Sequence, residues 1–496
     1  MTYFFGRKPE LAELESQIRQ PRASFIVVTG RRRIGKSRLI EEFAKPYRLI
    51  KFSGLAPSPV SLSSEKKISA PEQRAEFARR LANFFSLPPL KQDDWGDLFD
   101  ALSMQVQIST QEKLPNQKIV ILFDEISWMG MDDPTFLSKL KDLWDDGLKK
   151  NPNLMFVLCG SVSSWIEENI LSSTGFLGRV HRVLHLQELS LLECQGFFKL
   201  KNHGAGAEVS ALEKLQILAV TGGVPLYLES MDFSKSALQN IQSLCFTPGA
   251  LLVREFDQIF SDLFSKRNLI YKNIVQALSA GPLEPKMLCE KLGQALSGQM
   301  TQYFQDLVQA GFLERDYTWA IKTGTLGRLS RYRLSDNYLR FYLKYIEPKL
   351  TQIQQKTAVL TNISQLHQWP VILGLQFENL ILHNRHLIFE KLGISPEEVE
   401  VVGPYFQSRT AKQKGCQFDL LIQTKHQTLW ACEIKFSKNL LNQNVADDMA
   451  EKIKALSLPR GFSMRPVLIH VSGVSENLES SGYFSRILDF SEFLGA

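Results

Sequence analysis

The sequence predicts an α/β protein: a parallel sheet in the first half, helices in the middle, and a second, smaller α/β module at the C-terminus. Three observations carry that prediction. Ser24–Phe43 passes from an apolar segment through a glycine-bracketed loop into a helical pattern. Lys118–Phe123 is a continuous apolar run ending in Asp124 and Glu125, as expected of a strand buried on both faces of a parallel sheet. Near the other end, Asp419 and the triplet Glu433-Ile434-Lys435 lie on two apolar segments joined by a polar turn.

The chain has 496 residues, enough for about three or four domains. The formal charge is only +6, so whole-chain charge selects no class of partner, and a nucleic-acid contact must rest on local patches. Six scattered cysteines (Cys159, Cys194, Cys245, Cys289, Cys416, Cys432) contain no C-x-x-C pair; such spacing suits buried thiols in a reducing compartment, not disulfides or zinc. No apolar run approaches the ~20 residues of a membrane span, and the N-terminus lacks the order of a signal peptide. A cytoplasmic protein without membrane contact is expected.

Taken in order, Phe5-Gly6-Arg7 turns into an amphipathic helix through Glu10, Leu11 and Leu14. Phe25–Val28 is a strand. Gly30, Arg31, Arg32, Arg33, Ile34, Gly35, Lys36 and Ser37 then spell G-x-x-x-x-G-K-S, and the helix opening at Lys36 buries Leu39, Ile40 and Phe43. Strand, glycine loop and helix N-terminus are the parts of a P-loop. Glycine lets the backbone curl so that N–H groups meet phosphate oxygens, and the positive end of the helix dipole faces the same anion. Lys36 would reach the β/γ-phosphates and Ser37 would hold Mg²⁺, so ATP with Mg²⁺ is the expected cofactor pair.

Tyr47–Phe52 is the next strand, residues 55–70 a mobile loop, and Glu72–Phe85 a helix. At the end of the 118–123 strand, Asp124 would hold Mg²⁺ through water while Glu125 orients or deprotonates the attacking water. The strand Leu154–Leu158 runs into Cys159-Gly160-Ser161, placing Ser161 where it could sense the γ-phosphate. Arg179, on a glycine-flanked loop, either stabilises charge on the transferred phosphoryl group or is an ordinary surface arginine.

Leu189–Lys199 and Ala211–Val220 read as helices, followed by the break Thr221-Gly-Gly-Val-Pro-Leu-Tyr-Leu228. Three helices (268–278, 284–292, 297–310) and two strands (312–315, 331–334) joined across Gly324–Gly327 make a winged helix-turn-helix pattern. Its recognition helix carries no Lys or Arg; Lys322, Arg328, Arg331 and Arg333 lie on the wing. DNA would be held through its phosphates, unless the module serves only for packing. A connector, 351–365, leads to a helix over 372–391 containing Glu378, then to a hairpin of 418–422 and 429–436. Side-chain alternation puts Glu433 and Lys435 on one face, and pairing brings Asp419 beside them. Asp419 and Glu433 would bind Mg²⁺ or Mn²⁺, Glu378 would add a third acid, and Lys435 would polarise the attacking water. A buried ion-pair cluster is the alternative.

Phe5-Gly6-Arg7, the 30–37 loop, Ile119–Trp128, Cys159-Gly160-Ser161, Gly178-Arg179 and TGGVPLYL occur in an order that resembles the archaeal-type ATPases of the AAA+/STAND group, over roughly residues 1–265. The resemblance implies that Gly6 and Arg7 lie near the nucleotide base, that Ser161 is the sensor and Arg179 a finger-like arginine, and that Gly222–Pro225 belongs to a helical lid. Tyr332–Tyr342 resembles the segment that follows the winged helix in that family. D-x13-E-x-K after an acidic helix resembles the PD-(D/E)XK restriction-endonuclease-like fold, which this family often carries at its C-terminus, although Gln417-Phe418 stand where the naming proline would be. The organisation so implied is a P-loop ATPase core at 1–188, a lid at 189–265, a winged helix at 266–345, a connector at 346–365 and a nuclease-like domain at 366–496. The implied function is ATP hydrolysis coupled to DNA binding and metal-dependent DNA cleavage, in a nucleotide-dependent homo-oligomer. The alternative is a nucleotide-controlled regulatory switch whose nuclease-like domain is a scaffold.

Overall fold

The computed structural model describes residues 3–56, 69–112, 117–130, 133–161, 164–199, 209–264, 268–409 and 414–494. The chain divides into two compact units, Met1–Gln187 and Glu188–Ala496.

The first unit is built on five parallel strands in the order β2-β3-β4-β1-β5: β1 Ser24–Gly30, β2 Arg48–Ser53, β3 Ile119–Asp124, β4 Leu154–Ser161 and β5 Arg182–Leu186. All seven residues of β1 and all six of β3 are buried. Alternation sorts their side chains between two cores. Phe25 and Val27 join Phe52, Phe123 and Phe156 in one; Ile26 and Val28 join Leu14, Leu39, Ile40 and Val157 in the other. A fully buried side chain of this kind stabilises by about 1.5–3 kcal/mol, so these strands anchor the loops at their C-terminal ends. Helix Ala70–Phe85 starts at a reciprocal Ser69/Glu72 capping box. Most of the loop expected over 55–70 lies outside the described residues. Several elements have no counterpart in the sequence reading, among them a long helix and an edge strand. Helix Trp95–Glu112 buries Trp95, Leu98, Phe99, Leu102 and Val106, a helical spacing that is legible in the sequence. The edge strand β5, Arg-Val-Leu-His-Leu, exposes three of its five residues and gives little apolar signal.

The second unit opens with helices Leu191–Lys199, Ala211–Thr221, Pro225–Glu229, Ala237–Cys245 and Leu251–Phe264. Helices Asn268–Leu278, Pro285–Lys291 and Gly298–Gln309 follow, then an antiparallel hairpin of β6 Leu313–Ala320 and β7 Thr325–Leu334. The hairpin is longer than expected: its turn falls at 321–324 and Gly327 lies inside β7. The expected 372–391 helix is two, Trp369–His383 and Arg385–Leu392. They part at Asn384, whose Oδ1 accepts the Leu191 N–H at 2.9 Å while its Nδ2 donates to the Leu380 carbonyl at 2.8 Å. The connector is partly helical, at Leu350–Gln354 and Ile363–Gln365.

A mixed five-stranded sheet closes the unit, in the order β12-β11-β10-β9-β8: β8 Val399–Gln407, β9 Cys416–Thr424, β10 Thr428–Lys435, β11 Ser463–His470 and β12 Arg486–Asp489. The β8, β9 and β10 strands pair antiparallel; β10, β11 and β12 pair parallel, with helix Asn444–Ala455 in the crossover. The hairpin packs on this sheet. Trp319 and Ile321 enter its core beside Tyr405, Phe418 and Leu421, and Trp319 Nε1 donates to Gln423 Oε1 at 2.9 Å. Arg333, expected on a phosphate-binding wing, is instead 3% exposed and bonded to Asp316, Glu314 and Asn379. A guanidinium so buried is held by paired acids, because desolvation would otherwise expel it. Arg331 lies 4.2 Å from the centroid of the Phe406 ring and donates to Gln417. Of the four basic residues expected on the wing, Lys322 and Arg328 stay exposed.

Candidate functional site

The loop after β1 owes its shape to one close approach and to two residues of positive φ. Gly30 has φ +153, and a Cβ there would stand 2.5 Å from the Leu186 carbonyl oxygen of β5; only glycine passes. Farther on, Arg33 and Gly35 have φ values of 68 and 88 with Ile34 between them, a backbone alternation that turns successive N–H groups toward a common centre. Gly35 is the N-cap of helix Lys36–Phe43, so the helix dipole adds positive potential there. Ile34 is buried and pins the loop to the sheet. Arg7 braces it from outside: its guanidinium donates to the Ile34 carbonyl at 3.1 Å and the Gln187 carbonyl at 2.6 Å, and pairs with Glu10 at 3.1 Å. Gly6 and Arg7 both adopt left-handed backbone, φ 70 and 60, at the entry to helix Lys8–Ile18. Arg7 is thus a strut of the loop in this structure.

Lys36 is buried, and its ammonium donates to the carbonyls of Gly30 and Arg31, each at 3.0 Å. Ser37 Oγ donates to Asp124 Oδ1 at 2.8 Å. Strand β4 lies between β1 and β3, so this bond spans the end of β4, where Ser161 pairs in register with Gly30. Glu125 sits just past β3 with φ 51, a costly conformation for a residue with a Cβ. Its Oε2 accepts the Ser161 N–H at 3.5 Å. Burial raises the Glu125 carboxyl above its ordinary pKa, opposed by the nearby charge of Lys36. Lys36, Ser37, Asp124, Glu125 and Ser161 are therefore brought together. Arg179 is held in a bidentate pair with Asp145, Nε to Oδ1 at 2.9 Å and a terminal nitrogen to Oδ2 at 2.7 Å. Its hydrogen bonds lower the Asp145 pKa. Two participants escaped the sequence: Asp145, and Lys51 of β2, whose Nζ is 3.1 Å from Asp124 Oδ2 and 2.9 Å from Glu41 Oε1.

A second group of acids gathers at the C-terminal sheet. Asp419 Oδ2 accepts the Ile434 N–H at 2.9 Å. Glu433 is 1% exposed and receives Lys435 at 2.8 Å and Lys452 at 2.6 Å. Burial, then the charges of Glu433 and Glu378, push the Asp419 carboxyl up to about 8. Burial also raises Glu378, against the pull of Arg333 and Arg340. For Lys435, burial works downward, but the charge and hydrogen bond of Glu433 outweigh it and raise the pKa. Asp419, Glu433, Lys435 and Glu378 thus share one electrostatic neighbourhood. Among the described residues, however, no three His, Cys, Asp or Glu side chains form a cluster able to hold a metal ion. Lys452, from helix Asn444–Ala455, is the member the sequence did not disclose.

Among the described residues no helix is long and apolar enough to cross a membrane. Residues 4–231 match the family described as an ATPase domain predominantly from Archaea, so this stretch is similar to archaeal-type ATPase domains. An uncharacterized protein of Methanocaldococcus jannaschii is 25% identical over 384 residues, 76% of each chain. Among solved structures, the Walker-type ATPase of Pyrococcus abyssi matches at 16% identity and a TM-score of 0.48, over 68% of this chain and 96% of its own. The ORC2 protein of Aeropyrum pernix matches at 15% identity and a TM-score of 0.40, over 72% and 97%.

Proposed function

We propose that the chain is a Mg²⁺-dependent ATPase working at the loop Gly30–Ser37. The observation that carries the reading is the 2.8 Å bond from Ser37 Oγ to Asp124 Oδ1, between residues 87 positions apart. A hydroxyl and a carboxylate oxygen meeting at the mouth of an N–H-lined loop are the hard oxygen donors that Mg²⁺ takes, so the residues fit the ion. When bound, Mg²⁺ neutralises charge on the phosphate oxygens. The chain's own groups do the rest. The backbone of Gly30–Ser37 holds phosphate oxygens, and Lys36 exchanges its two loop carbonyls for them. Glu125, its carboxyl raised by burial, takes the proton of the attacking water, a task that suits a base with a raised pKa. Ser161, bonded to Glu125 through its N–H, is the sensor. Arg179, once released from Asp145, is the finger-like arginine, in cis or across a subunit boundary of a nucleotide-dependent oligomer. The match of residues 4–231 to an ATPase domain supports this reading. The experiment is Lys36→Ala: loss of ATP binding by at least tenfold, measured by calorimetry, is expected, and unchanged binding would overturn it.

For residues 189–496 we propose a helical lid, a winged helix that meets DNA phosphates and a nuclease-like C-terminal domain, in a cytoplasmic protein. Support for the DNA contact comes from a cleft of about 290 Å³ whose lining includes Lys286, Thr301, Arg315, Arg328 and Tyr332. Arg315 is fixed there by Ser330 at 3.0 Å and by the Tyr317 and Tyr332 rings. A second reading of the C-terminal domain, a nucleotide-controlled switch with an inactive nuclease-like scaffold, is favoured by one observation. Both Lys435 and Lys452 are spent on Glu433, which leaves the acid compensated without a metal.

A further inference from the structure

Lys51 lies on β2 opposite Leu122, two residues before the Ser53–Asp124 pair. Its ammonium bridges Asp124 Oδ2 at 3.1 Å and Glu41 Oε1 at 2.9 Å. Asp124 is therefore held at both oxygens, Oδ1 by the Ser37 hydroxyl and Oδ2 by a cation. The Asp124 side chain is only 9% exposed and that of Lys51 27%, so this is not a solvated surface pair whose partners drift apart. Glu41 belongs to helix Lys36–Phe43, the helix that the loop opens into, so Lys51 also ties β2 to that helix.

We propose that Lys51 is a positioning residue for the metal-side carboxylate and its internal counter-ion in the nucleotide-free state. It orients Asp124 with Oδ1 toward Ser37, and its positive charge keeps a free divalent cation from settling on Asp124 before the nucleotide arrives. The inference rests on the ATPase reading above. Its physics is a matter of charge. A divalent ion at Oδ1 would stand close to an ammonium already bonded to Oδ2 of the same carboxylate, in a largely buried setting where screening is weak. A triphosphate brings several negative charges to the same point and reverses that balance. Metal and nucleotide binding then become thermodynamically coupled, each strengthening the other by the same factor.

The test uses the full chain and Mn²⁺ binding followed by electron paramagnetic resonance, with and without ADP. Without nucleotide, Lys51→Met is expected to bind Mn²⁺ about tenfold more tightly than wild type, a factor in the usual range of site-to-site coupling. Lys51→Arg, which keeps the charge, should behave as wild type. With ADP present the difference between Lys51→Met and wild type should shrink. Adding Asp124→Asn to Lys51→Met should abolish the gain, which separates this site from the acids around Asp419. Equal Mn²⁺ affinity of Lys51→Met and wild type without nucleotide, in protein of unchanged circular dichroism, would overturn the inference while leaving ATP binding intact. A wild-type chain that binds no nucleotide would overturn the ATPase reading and this inference together. Should Lys51→Met fail to fold, Lys51→Gln removes the charge with a polar side chain and is read the same way.

Discussion

Asp124 and Asp419 occupy comparable places in the two units. Each lies on an interior strand of a five-stranded sheet, β3 and β9, with a second acid and a lysine close by. Their surroundings differ. Asp124 meets a hydroxyl and one ammonium. Asp419 accepts a backbone N–H and faces Glu433, which has drawn both neighbouring lysines to itself. The result is a carboxyl pushed up to about 8, chiefly by burial. Similar residue types thus give a carboxylate bonded to a hydroxyl and an ammonium at the end of one strand, and a buried acid beside an ion-paired glutamate in the middle of another. Burial and the placement of the neighbouring charges separate the two surroundings, and the acidic motif alone does not.

The largest expected effect breaks the comparison from the Asp124 side. Glu125→Gln keeps the shape of the side chain and removes its proton acceptor. Hydrolysis should fall by about 10²–10⁴-fold with ATP affinity retained, as measured by phosphate release and calorimetry on the same preparation. Asp419→Asn should leave both quantities unchanged. Equal turnover of Glu125→Gln and wild type would remove Glu125 from the chemistry and with it the contrast between the two acids.

How much of this is visible in the sequence follows from how each site is assembled. The loop from Gly30 to Ser37 is contiguous, and its residue types answer to local needs: Gly30 to a close approach by β5, Gly35 to a positive φ, Lys36 to a helix start. Asp124 and Glu125 announce themselves by ending an apolar run. Lys51, Asp145 and Lys452 announce nothing, because a lysine or aspartate amid ordinary polar sequence acquires its partner only when distant segments pack. Arg333 shows the reverse error. A basic residue on a hairpin reads as solvent-facing until the hairpin lies against a helix that supplies Asn379 and the neighbouring strand β6 supplies Glu314 and Asp316. The 372–391 helix fails for a similar reason, since the side chain of Asn384 bonds the backbone of residue 191.

A smaller effect sharpens the comparison from the Asp419 side. If lysine pairing is what masks a metal site, Lys452→Met should unmask it. Mn²⁺ at about 100 times its dissociation constant would then stabilise the variant by about 2.7 kcal/mol, seen as a rise in melting temperature that Asp419→Ala abolishes. Plasmid cleavage in Mn²⁺ should appear in the same variant only if Lys435 still serves the chemistry. A Lys452→Met chain that simply melts lower, with or without Mn²⁺, would establish Glu433 as the centre of a structural ion-pair cluster and favour the scaffold reading.

The smallest expected effect concerns a histidine near the second site but outside it. His383 Nε2 stands 3.3 Å from Glu314 Oε1, and Glu314 also pairs with Arg333. Burial works to lower the His383 pKa, but the hydrogen bond and charge of Glu314, with a further contribution from Glu188, outweigh it and the repulsion of Arg333, so the pKa is raised. A histidine whose folded pKa exceeds its unfolded value of about 6.5 binds its proton more tightly in the folded state. Its contribution to stability is therefore full below about pH 6.5 and is lost as pH rises through the folded pKa. With Arg333 already compensating Glu314 and the imidazole a quarter exposed, the contribution should not exceed about 1 kcal/mol. Urea unfolding of wild type and His383→Gln across pH 5.5–9 (a window set around that reference value) should give curves that differ most at the acid end and converge at the alkaline end. A difference that is constant over the whole range would mean that His383 stabilises by packing, and that the charge of Glu314 is met by Arg333 alone.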